Sequence, residues 1–180
     1  HGAGTQPILA VRPASGALST VILFYQRTGA GAWNLIAGPG VSTSDDSDAF
    51  HLMYDGTTYH LIFGALQPVY AYREVRYRTS TDLSTWSAIT YLEQVTTAYT
   101  PPHEDRGLAA CMDSAGDIHI AYTIPSGSNY VLKYNKRTSG TWGTAATIET
   151  IGAVSSGQNR AIHLSLVTDA DNVPHLFGVK

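Results

Sequence analysis

"GLAACMDSAGDIHIAY" (Gly107–Tyr122) and "HLSLVTDADNVPHLFG" (His163–Gly178) decide how this chain folds. At a constant offset of 56 residues, Leu108 falls on Leu164, Asp113 on Asp169 and His119 on His175. "HLMYDGTTYHLIFG" (His51–Gly64) fits the same frame with one residue fewer in its turn, and Asp55 and His60 take the Asp and His places. Each unit reads as strand, tight Asp/Gly/Asn turn, strand, which is a β-hairpin with favoured turn chemistry. Self-similarity at a fixed period outranks any local reading, because it marks a repeat architecture.

A second hairpin follows the first. "EVRYRTSTDLSTWSAITYLE" (Glu74–Glu93) aligns with "VLKYNKRTSGTWGTAATIE" (Val131–Glu149): alternating residues, a polar turn, a tryptophan, a short strand. Trp33, Trp86 and Trp142 are 53 and 56 residues apart. A repeat of about 56 residues therefore carries four strands in up-and-down order, which is the pattern of a β-propeller blade. No apolar pattern of period 3.6 runs long enough to indicate a helix.

The expected fold is all-β: a propeller of four-stranded antiparallel blades, about three per chain, in one domain spanning 1–180. Blades are expected at about 48–93 and 105–150. The strands at about 162–168 and 173–179 supply half of another. "TVILFYQRT" and "WNLIAG" look like the outer hairpin that this half-blade lacks, so 162–180 joined with 8–37 would close a blade across the chain ends. The strand Ile8–Arg12 has no place in that count. Closed propellers hold at least four blades. The ring is thus expected to close by oligomerisation, or the chain is an excerpt of a longer propeller. A start at His1 fits a processed product and an excerpt equally.

The composition excludes several function classes. The net charge is −3, charged residues make up 14%, and there is no clustered Lys/Arg stripe, so nucleic acid is a poor partner. No apolar run approaches the ~18 residues of a membrane span. The one cysteine, Cys111, rules out an internal disulfide framework and a CxxC metal site, and in "GLAAC" it reads as an inert buried thiol. A copper site at His1 lacks the second histidine it needs. No cofactor is expected, and there is no phosphate loop, nucleophile elbow or HExxH.

The turn before Trp86, "STDLSTW", resembles the Asp-box (BNR) repeat of sialidase-like propellers, with Ser84 in the Gly place and one residue fewer. Its shorter form is also similar to the S-x-D-L-x-x-W turn of five-bladed furanosidase glycoside hydrolases. The element Asp113–Tyr122 resembles the hairpin of secreted bacterial and phage propeller repeats. The Asp-box resemblance implies a structural role for Trp33, Trp86, Trp142 and Asp82: the Trp packs the outer hairpin and the Asp binds the turn backbone. The other reading of the tryptophans is sugar stacking, as in propeller lectins.

Ligand contacts in a propeller concentrate where loops enter the innermost strands. Those segments are Ser42–His51, Tyr99–Gly107 and Ser155–His163. Their candidate ligand-binding residues are Asp48, His51, His103, Glu104, Arg106, Asn159, Arg160 and His163, and the two arginines suit a carboxylate. Simple hydration of these loops is the competing reading. His60, His119 and His175 recur at one position and so read as structural. Furanosidase relatives hold acids on innermost strands of separate blades, whereas Asp55, Asp113 and Asp169 sit at turn ends. The balance is against an enzyme.

The expected function is a non-catalytic extracellular recognition or adhesion module that binds carbohydrate, as glycan, at the channel mouth. One alternative is a structural subunit of a surface filament or phage appendage. Another is an excerpt of a glycoside hydrolase or lyase propeller. Low charge and abundant Ser/Thr suit an extracellular or virion surface. Self-association is expected, without membrane insertion.

Overall fold

Two stretches of alternating residues, Tyr59–Gln67 and Tyr72–Ser80, pair over nine positions and set the pattern for the molecule. The computed structural model describes residues 8–11, 21–29, 31–36, 41–42, 49–67, 72–95, 107–126, 129–151 and 163–179. Among them all regular structure is β-strand, in antiparallel sheets.

The blade expected at 48–93 is a four-stranded sheet of β5 (Phe50–Tyr54), β6 (Tyr59–Gln67), β7 (Tyr72–Ser80) and β8 (Thr90–Val95), in chain order. The blade at 105–150 repeats it with β9 (Leu108–Met112), β10 (Ile118–Ser126) and β11 (Asn129–Thr138). Its outer edge is split between β12 (Thr141–Trp142) and β13 (Ala146–Ile151), both on β11. A register shift recurs at the same place in both blades, between Val75 and Arg76 and between Leu132 and Lys133. Such irregularities add local twist to an outer strand.

The chain ends differ from the expected count. β1 (Ile8–Val11), the strand without a place, pairs with β2 (Val21–Arg27). The other edge of β2 carries β3 (Trp33–Leu35) and β4 (Val41–Ser42). β1 is therefore the second strand of a first blade, and β2 the third. The C-terminal strands β14 (His163–Thr168) and β15 (Pro174–Val179) form a separate two-stranded sheet. The blade expected from joining 162–180 with 8–37 is thus not formed among the described residues. The inner edge of β2 is already taken by β1. The described strands make a partial propeller without a closed ring.

Three apolar layers hold the four units side by side in chain order. Ile22 and Phe24 of the first blade meet Leu61, Phe63 and Leu83 of the second. Ile62, Val75 and Tyr77 on the second blade's opposite face meet Leu108, Ile118, Ile120 and Tyr122 of the third. Ala109 and Ala121 of the third meet Leu166 of the C-terminal hairpin. Because β10 is covered on both faces, it is buried from Ile118 to Pro125, and its alternate residues go to opposite neighbours.

The tryptophan turns fasten these layers. In "STDLSTW", Oδ1 of Asp82 accepts the N–H groups of Ser84 (2.8 Å) and Thr85 (2.7 Å), and the Ser80 hydroxyl accepts the N–H of Leu83 (2.8 Å). These bonds hold Leu83 in the left-handed region, at φ 62°, with its side chain buried. The Trp86 indole donates to the Leu83 carbonyl and stacks on Phe24 of the preceding blade at 5.1 Å. Trp142 repeats the contact edge-on against Tyr77 at 5.3 Å. Trp33 belongs to the first blade and is 45% exposed. The Trp86 and Trp142 turns thus fasten blade to blade.

Candidate functional site

The recurring Asp and His of each inner hairpin meet. In the second blade, Oδ1 of Asp55 accepts the N–H groups of Thr57 and Thr58, at 2.9 and 2.8 Å, and shapes the turn. Its Oδ2 lies 2.8 Å from Nε2 of His60, whose Nδ1 lies 2.7 Å from the Tyr77 hydroxyl. The third blade repeats this: Asp113 to His119 at 3.0 Å, and His119 to Tyr134 at 2.7 Å. A carboxylate only accepts, so Nε2 carries a proton, and in the neutral tautomer this leaves Nδ1 to accept from the tyrosine. The C-terminal hairpin has the first half alone, Asp169 to His175 at 2.8 Å.

These relays settle the bonding of the repeated histidines. The partners of His60 and His119 are a turn carboxylate and a third-strand hydroxyl. His60 and His119 are 2% and 1% exposed, so neither is presented to a ligand. Burial alone would raise the Asp55 and Asp113 carboxyls; hydrogen bonds from the histidine and the turn N–H groups outweigh it and hold both below the usual carboxylate range. The tyrosines Tyr77 and Tyr134 were missed as partners, although each stands on the third strand of its repeat. The signal was their shared register, opposite the residue two beyond the histidine: Tyr77 opposite Ile62, and Tyr134 opposite Ala121.

Of the eight proposed ligand-binding residues, His51 and His163 are described; Asp48, His103, Glu104, Arg106, Asn159 and Arg160 lie outside the described residues. His51 stands on innermost strand β5, and its Nε2 donates to the carbonyl of Leu108 on innermost strand β9 of the next blade, at 3.1 Å. Burial lowers its basicity, opposed in part by that bond. One ring nitrogen of His51 is thus committed to joining blades at the channel. His163, its counterpart on β14, is exposed.

The innermost strands read "FHLMY", "LAACM" and "HLSLVT", so none of the three carries a carboxylate. The buried charged groups lie further out. Glu74 and Arg76 pair at 2.6 Å on β7, and Gln94 donates to the same carboxylate at 2.9 Å. Glu93 of the second blade accepts from Tyr122 (3.0 Å) and Lys133 (2.7 Å) of the third. These groups are spent on one another. Among the described residues no three His, Cys, Asp or Glu side chains cluster closely enough to hold a metal. No described helix is long and apolar enough to cross a membrane. Cys111 is half-buried against the C-terminal hairpin, and burial raises its thiol.

No family model matches the chain, and no curated protein matches it. Solved structures do. An α-L-arabinanase from Penicillium chrysogenum, complexed with arabinobiose, is 16% identical with a TM-score of 0.53, over 84% of this chain and 47% of its own. An α-L-arabinofuranosidase from Fusarium graminearum, bound to an iminosugar inhibitor, is 15% identical with a TM-score of 0.47, over 90% of this chain and 54% of its own. The chain thus spans about half the length of these enzymes. The arabinanase match shows the fold alone, a β-propeller.

Proposed function

We propose that this chain is part of a carbohydrate-acting β-propeller of the glycoside hydrolase type, with furanose-containing glycan as its substrate class. The observation that carries the reading is the fold similarity to an arabinanase over 84% of the chain. The ligand is assigned to the channel mouth, where the loops ending at His51, Gly107 and His163 enter the innermost strands. Asp48, Glu104 and Arg160 take equivalent places in the repeat, and His103, Asn159 and Arg106 flank them. Hydrolysis of a glycosidic bond requires two carboxyl groups on opposite sides of it. Asp48 and Glu104 are the pair this chain offers, and the arginines and Asn159 are suited to sugar hydroxyls. In this reading the protein works outside the cell, where polymeric glycan is met, and the ring is completed by further blades.

A second reading, glycan recognition without turnover, is favoured by the acid-free innermost strands β5, β9 and β14. One experiment separates the two. The chain is titrated with linear arabino-oligosaccharides by calorimetry, and reducing-sugar release from arabinan is followed in parallel. Binding with release that disappears in Asp48→Asn and Glu104→Gln is the expected result for a hydrolase segment. Binding without release selects recognition. Neither binding nor release, across furanose and pyranose oligosaccharides, sinks both.

A further inference from the structure

The third relay is half built. Asp169 and His175 pair as in the other hairpins, and Oδ1 of Asp169 shapes its turn through the N–H groups of Asp171 and Val173, both at 2.9 Å. Yet the His175 side chain is 49% exposed, against 2% for His60 and 1% for His119. In the complete blades a third strand seals the histidine and brings the tyrosine hydroxyl to Nδ1. Its tyrosine stands opposite the residue two beyond the histidine. The corresponding residue on β15 is Phe177, 62% exposed. The outer edge of β15 has no strand on it among the described residues, and an open edge is a template for pairing.

The first blade shows which strands fit. Phe24 receives Trp86 as Tyr77 receives Trp142, so Phe24 holds the tyrosine place. It stands opposite Ala10, which puts Ile8 in the histidine place. Histidine goes with tyrosine in the second and third blades, and isoleucine with phenylalanine in the first. A second copy's β2 would thus offer His175 no hydroxyl, and its β7 and β11 are already enclosed in complete sheets.

We propose that the free edge of β15 is a docking site for a tyrosine-bearing β-hairpin of the same repeat, supplied from outside residues 1–180. Its first strand pairs antiparallel with β15, its tyrosine stands opposite Phe177, and the hydroxyl donates to Nδ1 of His175. Main-chain pairing gives the affinity and the buried hydroxyl gives the register.

The test uses a synthetic peptide with the sequence of residues 129–151, a third and fourth strand of this repeat, added to the 180-residue chain. Saturable binding is expected, with the ring-nitrogen resonances of His175 shifted and those of His60 and His119 unmoved. A peptide carrying Tyr134→Phe binds about five- to ten-fold more weakly, the worth of one buried hydrogen bond. To guard against a peptide that fails to fold, the same sequence is fused after Lys180 through a flexible linker. The fusion raises the melting temperature, and its Tyr134→Phe form raises it less. Equal behaviour of the tyrosine and phenylalanine forms overturns the proposal, as does failure of peptide and fusion alike. So does a dimer of the unfused chain in which the His175 ring becomes protected, which would make a second copy the occupant.

Discussion

Replacing Trp86 with alanine lowers the unfolding free energy by about 3–5 kcal/mol, the usual cost of truncating a large core aromatic. The first two blades share no backbone ladder, so their association rests on side chains. Trp86, partly buried against this layer, is one of these, stacked on Phe24 and anchored by its indole N–H to Leu83. Removing it opens a cavity between two sheets that cannot close without moving one of them. It also frees the Leu83 turn, whose left-handed backbone is kept by bonds to Ser80 and Asp82. Trp33→Ala is the internal control. It removes the same side chain from the same motif, but the 45% exposure of Trp33 leaves little packing to lose, and a shift within about 1 kcal/mol is expected. Urea denaturation at pH 7 measures both. Equal losses would mean that position in the repeat does not govern the role of the tryptophan.

This contrast also shows how much the sequence disclosed. The period of about 56 residues, the four-strand unit and the structural character of Asp82 and Trp86 were legible, because turn chemistry and alternation are local signals. The place of Ile8–Val11 was not, because a four-residue strand is assigned by its partner and not by its own pattern. Its pairing with β2 undid the expected blade across the chain ends. The histidine relay was half legible. Asp113 and His119 are six residues apart in one hairpin and recur at Asp169 and His175. Tyr134 lies on another strand, and only strand register brings it to the ring. The inter-blade bond of His51 to Leu108 spans 57 residues and left no trace in spacing. The candidate ligand residues were expected as a cluster of ionisable groups on entry loops; His51 and His163 stand instead on strands β5 and β14, and the other six lie outside the described residues. Their mutual geometry depends on loop conformation, which no residue pattern encodes.

His119→Ala is expected to cost about 3–5 kcal/mol at pH 7, because it strands the buried Asp113 carboxylate and the half-buried Tyr134 hydroxyl at once. The Tyr134 hydroxyl loses its acceptor, and the Asp113 carboxylate, 1% exposed, loses the donor that most opposes its burial. The pH dependence identifies the mechanism. With His119 present, the folded-state carboxyl of Asp113 titrates below its unfolded value. Its stabilisation is therefore present above the ordinary carboxylate range and is lost as pH falls through that range. Without His119 only the turn N–H groups of Ala115 and Asp117 and the more distant Lys136 oppose burial, so the carboxyl is depressed less. Its stabilisation at neutral pH is then smaller, and less of it is lost on acidification. The urea midpoint of the parent chain should fall as pH drops from about 5 to about 3, and that of His119→Ala should fall less, so the two converge. His175→Ala removes the same residue from the half-built relay, where Asp169 keeps contact with water, and it should barely move the midpoint at either pH. Parallel pH profiles for the parent and His119→Ala would show that the ring fills space without holding the carboxylate. A large loss on His175→Ala would show that the exposed relay is already sealed.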